Sequence, residues 1–434
     1  MLLIEDWSFW SAADCVPSSS NQFDQYNQCF LNDTKLSLER SAYVPRQDIA
    51  HRSSKNIQDD RERADTAYVM RLVPRPVGSS IRFLALTFFA PAALVAQTAA
   101  PFDVQKLDSG VYAVVRHDPI SYVNNANSLV VVGDNSVLVV DAQFTRLATS
   151  QTIGAIRQIT SKPVRYVVNT HWHDDHVAGN QVYRDSFPAV RFISQANTRA
   201  DLIALGAPNR RGTWDAAGPF TARFERLLAL GLGVDSVPVT PLERATMENT
   251  IAVGQQYLAE KPGFRETLPD LTFTRTLSVD LGGRRVEIRY FGPANTRGDA
   301  VVIVPDSRII ATGDIVVAPV PFAFNAYVSG WIGALDSIIA QHPVAILPGH
   351  GPVMRDDSYP RQVRRMLARV REETRRAVAS GADLAETRKR VTLGNERASI
   401  AHGDKWLNAL FGSFFLDPAI ARAFEEATKQ PPAR

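Results

Sequence analysis

Three of the chain's eight histidines fall within six residues, and no other feature limits the possible folds as much. Val164–Val168 (VRYVV) reads as a short, β-branched, buried strand. It runs through Asn169 and Thr170 directly into His171, Trp172, His173, Asp174, Asp175 and His176. At a strand end, a tight loop projects alternate side chains from one rim toward a common point. Imidazole nitrogens and a carboxylate are a ligand set that suits zinc. Packed this closely without a cation, the same groups would repel one another.

Strands and helices alternate around the cluster. Val111–Arg116 and residues 128–142 read as strands, the second stretch folding into a hairpin at Gly133-Asp134-Asn135. Residues 145–160 carry helical spacing through Leu147, Ile153 and Ile156, and residues 190–193 repeat the short strand pattern. From 197 to 264 the pattern is helical, most clearly over 220–230 and 242–258. Strands resume at 271–279, Arg285–Tyr290, Ala300–Val304 and Ile309–Ala311. From Pro360 onward the chain is helical again. Val363, Met366, Leu367, Val370 and Val378 form one apolar stripe, and the arginines around it read as a solvated face.

The first hundred residues are of another kind. Residues 1–69 are rich in Ser, Asn, Gln and Asp, hold both cysteines (Cys15 and Cys29), and carry 11 acidic against 7 basic residues. Residues 70–82 then contain Arg71, Arg75 and Arg82 with no acid. A 14-residue apolar run, FLALTFFAPAALVA, follows over 83–96, and small residues lead to Ala100. A basic segment, a short apolar core and a small-residue stretch are the parts of a secretory signal peptide. The apolar run is shorter than the roughly 20 residues a membrane span needs. The expectation is that 70–100 is a signal peptide, that Met70 is the biological start, and that 1–69 is a disordered or mis-called upstream extension. A chain beginning near 97–101 would hold no cysteine, as suits an oxidising compartment. A periplasmic or secreted protein without a stable membrane anchor is expected. Beyond residue 100 the charge is near balance, 38 basic against 34 acidic residues, which with the export signal argues against a nucleic-acid partner.

The histidine loop, H-x-H-x-D-H after a hydrophobic strand, resembles the signature of the metallo-β-lactamase superfamily, and the resemblance extends over about 103–356. Phe291-Gly292-Pro293-Ala294-Asn295-Thr296-Arg297-Gly298-Asp299 resembles that family's G-x-x-H-T-x-G-D loop. Ala311-Thr312-Gly313-Asp314 resembles its strand-ending G-D, and Leu347-Pro348-Gly349-His350-Gly351 its P-G-H-G loop. The resemblance implies an α+β, four-layer αββα sandwich over 101–356. A helical insert at about 197–264 and a helical C-terminal extension over 357–434 would be added to it. It implies His171 and His173 at a first metal position, Asp175, His176 and His350 at a second, and Asp314 bridging the two, as in the glyoxalase-type branch.

One position departs from the pattern. The third histidine of the first metal position falls on Asn295, and a neutral amide oxygen is a poorer zinc ligand than imidazole. Three outcomes follow: one metal at the second position, two metals with Asn295 or water completing the first, or loss of hydrolysis. The resemblance implies one or two Zn2+ ions and a zinc-bound hydroxide, with water's pKa brought from about 15.7 to near 7. Asp175 would orient the nucleophile and pass a proton to the leaving group. Lactam, lactone, ester, thioester and phosphodiester chemistry all fit these ligands, and a small-molecule amide or lactam, lactone, ester or thioester is the expected substrate. An iron-dependent sulfur dioxygenase-like enzyme and a non-catalytic metal-binding module are the alternatives. Residues 197–264, and the Pro and aromatic stretch from Pro319 to Trp331, are the expected walls of the substrate pocket. The residues do not indicate an oligomeric state.

Overall fold

The computed structural model describes residues 101–121 and 123–429. The expected upstream extension (1–69) and signal peptide (70–100) lie outside the described residues. Among the described residues, twelve strands form two sheets. The first has seven strands in chain order: β1 (Phe102–Asp108), β2 (Val111–Arg116), β3 (Ser128–Val132), β4 (Val137–Val140), β5 (Val164–Val168), β6 (Arg191–Gln195) and β7 (Leu271–Phe273). β1 to β4 pair antiparallel and β4 to β7 parallel. The second sheet contains β8 (Thr276–Asp280), β9 (Arg285–Tyr290), β10 (Ala300–Val304), β11 (Ile309–Ala311) and β12 (Ala345–Leu347). Only β11 and β12 are parallel within it.

Alternation of side chains along each strand builds the layers. Leu129 and Val131 of β3 point between the sheets, where they meet Ile288, Val302 and Leu347 of the second sheet. Val130 points the other way, to a layer with Ile153 and Ile156 of α1 (Arg146–Ile159). On the far side of the second sheet, Val301, Ile303 and Ile346 pack against α7 (Val328–Ile339) and α8 (Ser358–Ala379). The result is the four-layer αββα sandwich. Each fully buried Val, Leu or Ile stabilises it by about 1.5–3 kcal/mol relative to exposure.

In the chain, α2 (Asp174–Val177) and α3 (Asn180–Ser186) lie between β5 and β6, and α4 (Ala196–Asp201) follows β6. The insert is two long helices, α5 (Ala207–Ala229) and α6 (Pro241–Glu260), joined to α4 by a π-helical turn at Leu202–Gly206. Thr145 and Thr240 cap α1 and α6, each accepting a hydrogen bond from a backbone N–H three residues on. The helices after α8 share one core with the second sheet, through Phe411, Phe414, Phe415 and Ile420. No helix among the described residues is long and apolar enough to cross a membrane.

Two local expectations change. Residues 271–279 read as one strand, but the chain passes from one sheet to the other at Thr274 and Arg275. The Thr274 carbonyl accepts from Gln195 Nε2 (3.3 Å) beside β6, and the Arg275 carbonyl accepts from the Tyr290 backbone N–H (2.9 Å) of β9. Phe273 and Val279 still point into the same core, while Arg275, which a period of two would turn inward, is exposed at the break. In α8 the stripe ends on Thr374 and Ala377, while Val378 is only half-buried.

Candidate metal centre

The cluster sits where β5, β11 and β12 end. Asn169, the first residue past β5, uses its side-chain amide to donate to the His176 carbonyl (3.1 Å) and to Asn180 Oδ1 (3.0 Å), closing the loop onto α2 and α3. His171 and His173 project from the extended segment, and Asp175 and His176 from the first turn of α2. Asp314 lies in a single 3-10 turn (Gly313–Ile315) directly after β11, and His350 follows β12. Two glycines permit this crowding. Gly313 has φ +50°, and a Cβ there would meet Thr170 Oγ1 at 2.4 Å. A Cβ on Gly349 would come within 2.0 Å of Asp314 Oδ1.

The structure brings six of the seven expected ligands into two groups that share Asp314. Asp175, His176, Asp314 and His350 form one group; His171, His173 and Asp314 form the other, with one ligand atom per residue lying within 4.8 Å of the rest in each. His350 Nε2 is 3.0 Å from Asp175 Oδ2 and 3.6 Å from Asp314 Oδ1. His176 Nε2 is 3.2 Å from Asp314 Oδ1, and His171 Nε2 is 3.7 Å from Asp314 Oδ2. The seventh residue, Asn295, is fully buried and donates its Nδ2 hydrogen to the Phe322 carbonyl. Trp172, between two ligands, packs against Val177 and Leu202 as scaffold.

Hydrogen bonds at the far side of each ring set the tautomers. His176 Nδ1 donates to Asp141 Oδ2 (2.8 Å), leaving Nε2 to face the cluster. Thr170 Oγ1 donates to the same Asp141 oxygen (2.8 Å) and so accepts from His171 Nδ1 (3.1 Å), which leaves His171 Nε2 free. His173 Nε2 donates to Asn325 Oδ1 (2.9 Å), which frees Nδ1. The free nitrogens of His171 and His173 then face each other at 2.9 Å. Holding a metal-ligating imidazole through its other nitrogen is how such centres are oriented. His350 differs: its Nδ1 is 3.1 Å from the Asn124 amide nitrogen, and its Nε2 lies between the two carboxylates.

These residues fit a cation. His176 Nε2, Asp314 Oδ1 and Asn295 Oδ1 are all buried without a hydrogen-bond partner, which is costly unless something else satisfies them. Burial pushes the His171 and His173 imidazoles below their ordinary range, for His171 far below and with help from the neighbouring rings, so both are neutral ligands. Burial also works against charge at His176, but Asp175, Asp314 and Asp141 outweigh it and hold this ring well above the usual histidine range. Burial raises the Asp175 and Asp314 carboxyls, and the facing histidines overcome it and hold both well below the usual carboxylate range. With no cation, a protonated His176 balances these carboxylates.

Sequence reasoning passed over the residues behind the ligands. Asp141 ends β4 with φ +61° and anchors the backbone of Thr170 as well as both side chains. The available signal was a carboxylate directly after a wholly apolar strand. Asp174 is held by Arg210 Nη2 of α5 (2.6 Å) and Tyr257 OH of α6 (2.8 Å), and Arg210 also pairs with Glu266. A buried cleft opens beside the ligands. Asn209 and Thr213 of the insert line it, with Val320 and Phe322 from the expected aromatic stretch and Phe414 from the C-terminal helices. Trp331 does not line it; the ring is core, with Nε1 donating to the Ile315 carbonyl (2.9 Å).

The chain resembles known proteins over this same region. It is 20% identical over 273 residues to a linear primary-alkylsulfatase of a Pseudomonas species, spanning 59% of this chain and 48% of that one, about half its length. It is 22% identical over 260 residues to a type 2 metallo-β-lactamase of a Bacillus species, 58% of this chain and 76% of the relative. Among solved structures, a metallo-β-lactamase from Pontibacter korlensis superposes with a TM-score of 0.43 at 17% identity, covering 62% of this chain and 99% of that one. The family model of the metallo-β-lactamase superfamily matches residues 121–350. That match takes in more than half of the chain and every residue of the histidine and aspartate cluster, and the protein belongs to the metallo-β-lactamase superfamily.

Proposed function

We propose that the protein is a zinc-dependent hydrolase of a small-molecule amide or lactam, lactone, ester or thioester, and that it acts in the periplasm or outside the cell. The observation that carries this reading is a pair of ligand groups sharing Asp314 at the wall of a buried cleft. Zinc at such a site lowers the pKa of water and polarises the bond to be broken. Asp175, Asp314, His173 and His350 all face the cleft. Asp175 Oδ2 lies between His176 Nε2 (3.4 Å) and His350 Nε2 (3.0 Å), placed to orient a nucleophile and to hand a proton to a leaving group. His171, His173 and Asn295 would hold the first ion and Asp175, His176 and His350 the second. Asn295 supports a weaker first position, because an amide oxygen competes poorly with imidazole for zinc. The export proposal rests on the signal-like residues 70–100, and the near-balanced charge past them suits a small-molecule substrate rather than nucleic acid.

The test is elemental analysis of protein purified without chelator, coupled to turnover of a panel of lactams, lactones, esters and thioesters. Between one and two equivalents of zinc with turnover of one class is the expected result. Metal-free protein, or iron without hydrolysis, would overturn the reading. Protein recovered from the periplasm or medium should begin near residues 97–101, and an intact Met1 would refute export by this signal.

A further inference from the structure

The insert reaches into the cleft with one face of α5. Asn209 and Thr213, one helical turn apart, both line the wall. Between them Arg210 is only 2% exposed and binds Asp174 inside the ligand loop, with its guanidinium over the Phe264 ring at 4.2 Å. This turn of the helix is therefore fixed relative to the metal ligands, and the side chain beside Arg210 stands at a defined place on the wall.

Asn209 is that side chain. It is 8% exposed, and its Oδ1 has no hydrogen-bond partner among the described residues. Thr213 does not satisfy it, because the Thr213 hydroxyl donates to the Asn209 backbone carbonyl (3.0 Å). A buried amide oxygen left without a donor is costly, and the cleft is where a donor can arrive. The same cleft has apolar lining in Phe322 and Phe414, whose rings meet edge to face at 5.6 Å.

We infer that Asn209 is a specificity-determining residue that hydrogen-bonds an uncharged amide of the substrate, whose acyl arm lies against Phe322 and Phe414. The inference rests on the hydrolase reading above. A carboxamide offers a donor and an acceptor in one plane, the complement of a substrate amide. A substrate carboxylate at this place would bring no donor and would leave Oδ1 unpaired.

Two esters of equal chain length separate this role from general damage: p-nitrophenyl N-butanoylglycinate, with an internal amide, and p-nitrophenyl heptanoate, without one. Asn209→Leu in the zinc-loaded protein should raise KM roughly tenfold for the first and leave the second within about twofold, with kcat little changed. Asn209→Ser, smaller and still polar, should fall between, and Asn209→Leu, which removes an unpaired buried oxygen, should unfold at a temperature no lower than wild type. Binding supplies a second readout without turnover. N-Butanoylglycine methyl ester titrated into metal-free protein should bind wild type several-fold more tightly than Asn209→Leu, and methyl heptanoate, of equal length without an amide, should not distinguish them. Equal losses for both members of a pair, or no loss for either, would overturn the assignment of Asn209. No turnover of either ester, with the amide discrimination intact in metal-free protein, would sink the hydrolase reading and leave Asn209 as a ligand-binding residue.

Discussion

The two halves of the cluster share Asp314 and differ in almost everything else. The half formed by Asp175, His176 and His350 has three further ligands, with both histidines held above their ordinary range by surrounding carboxylates. The half formed by His171 and His173 holds two neutral rings whose free nitrogens face each other at 2.9 Å, with an amide where the family pattern has a third imidazole. In the first of these halves a metal would compete with protons; in the second it would be limited by the donors available. One fold can thus place side by side a position tuned by charge and a position tuned by ligand identity.

The largest expected effect comes from what the halves have in common behind them. Asp141 holds His176 directly and His171 through Thr170. Asp141→Asn should lower zinc affinity by about 10–100-fold at both positions, measured by chelator competition on folded protein. Weakening of the second position alone would show that the Thr170 relay does not set His171. A smaller effect, and one that should erase the difference between the halves, is Asn295→His, which should bring zinc content toward two equivalents and tighten the first position by roughly tenfold. Unchanged stoichiometry would remove Asn295 from the ligand set.

The smallest effect is in pH. His176 and His350 are raised despite burial, by Asp175 and Asp314 at both rings and Asp141 at the first. A raised histidine contributes stability to metal-free protein fully below its unfolded value of about 6.5, and that contribution is lost as pH rises through the folded value. Zinc displaces the same protons, so the rise in Tm on adding zinc should grow by a few degrees between about pH 6 and about pH 9. A zinc-dependent shift that is flat across this range would mean that the half rich in carboxylates is not where the metal binds.

Much of this was legible in the chain itself. The ligand loops stood out because histidine is scarce and each motif follows a short apolar strand, and the hairpin at Gly133-Asp134-Asn135 carried its own turn chemistry. What was not legible depends on partners far away in sequence. The change of sheet at Thr274 and Arg275 leaves Phe273 and Val279 on one core face, and its one local mark is a charged residue, Arg275, at the inward phase. Asp141 reads as part of the strand stretch 128–142 until Thr170 and His176 come up against it. Arg210 reads as one more basic residue on a helix, and only the fold buries it against Asp174, where removing one partner of the pair would cost about 3–5 kcal/mol. The first turn of helix α7 overlaps the end of a stretch, Pro319 to Trp331, that by its aromatics read as pocket wall.

Phe414 has a consequence for how the protein comes into being. Its ring helps to line the cleft, yet it follows His176 by 238 positions. At about 5–20 residues per second of synthesis, the ligand loop is made some 12–48 seconds before that wall exists. A nascent chain thus has its histidines long before it has a finished place for a substrate. A chain shortened ahead of α8 would present the ligand loop in a cleft lacking this side, with the outer face of the second sheet uncovered.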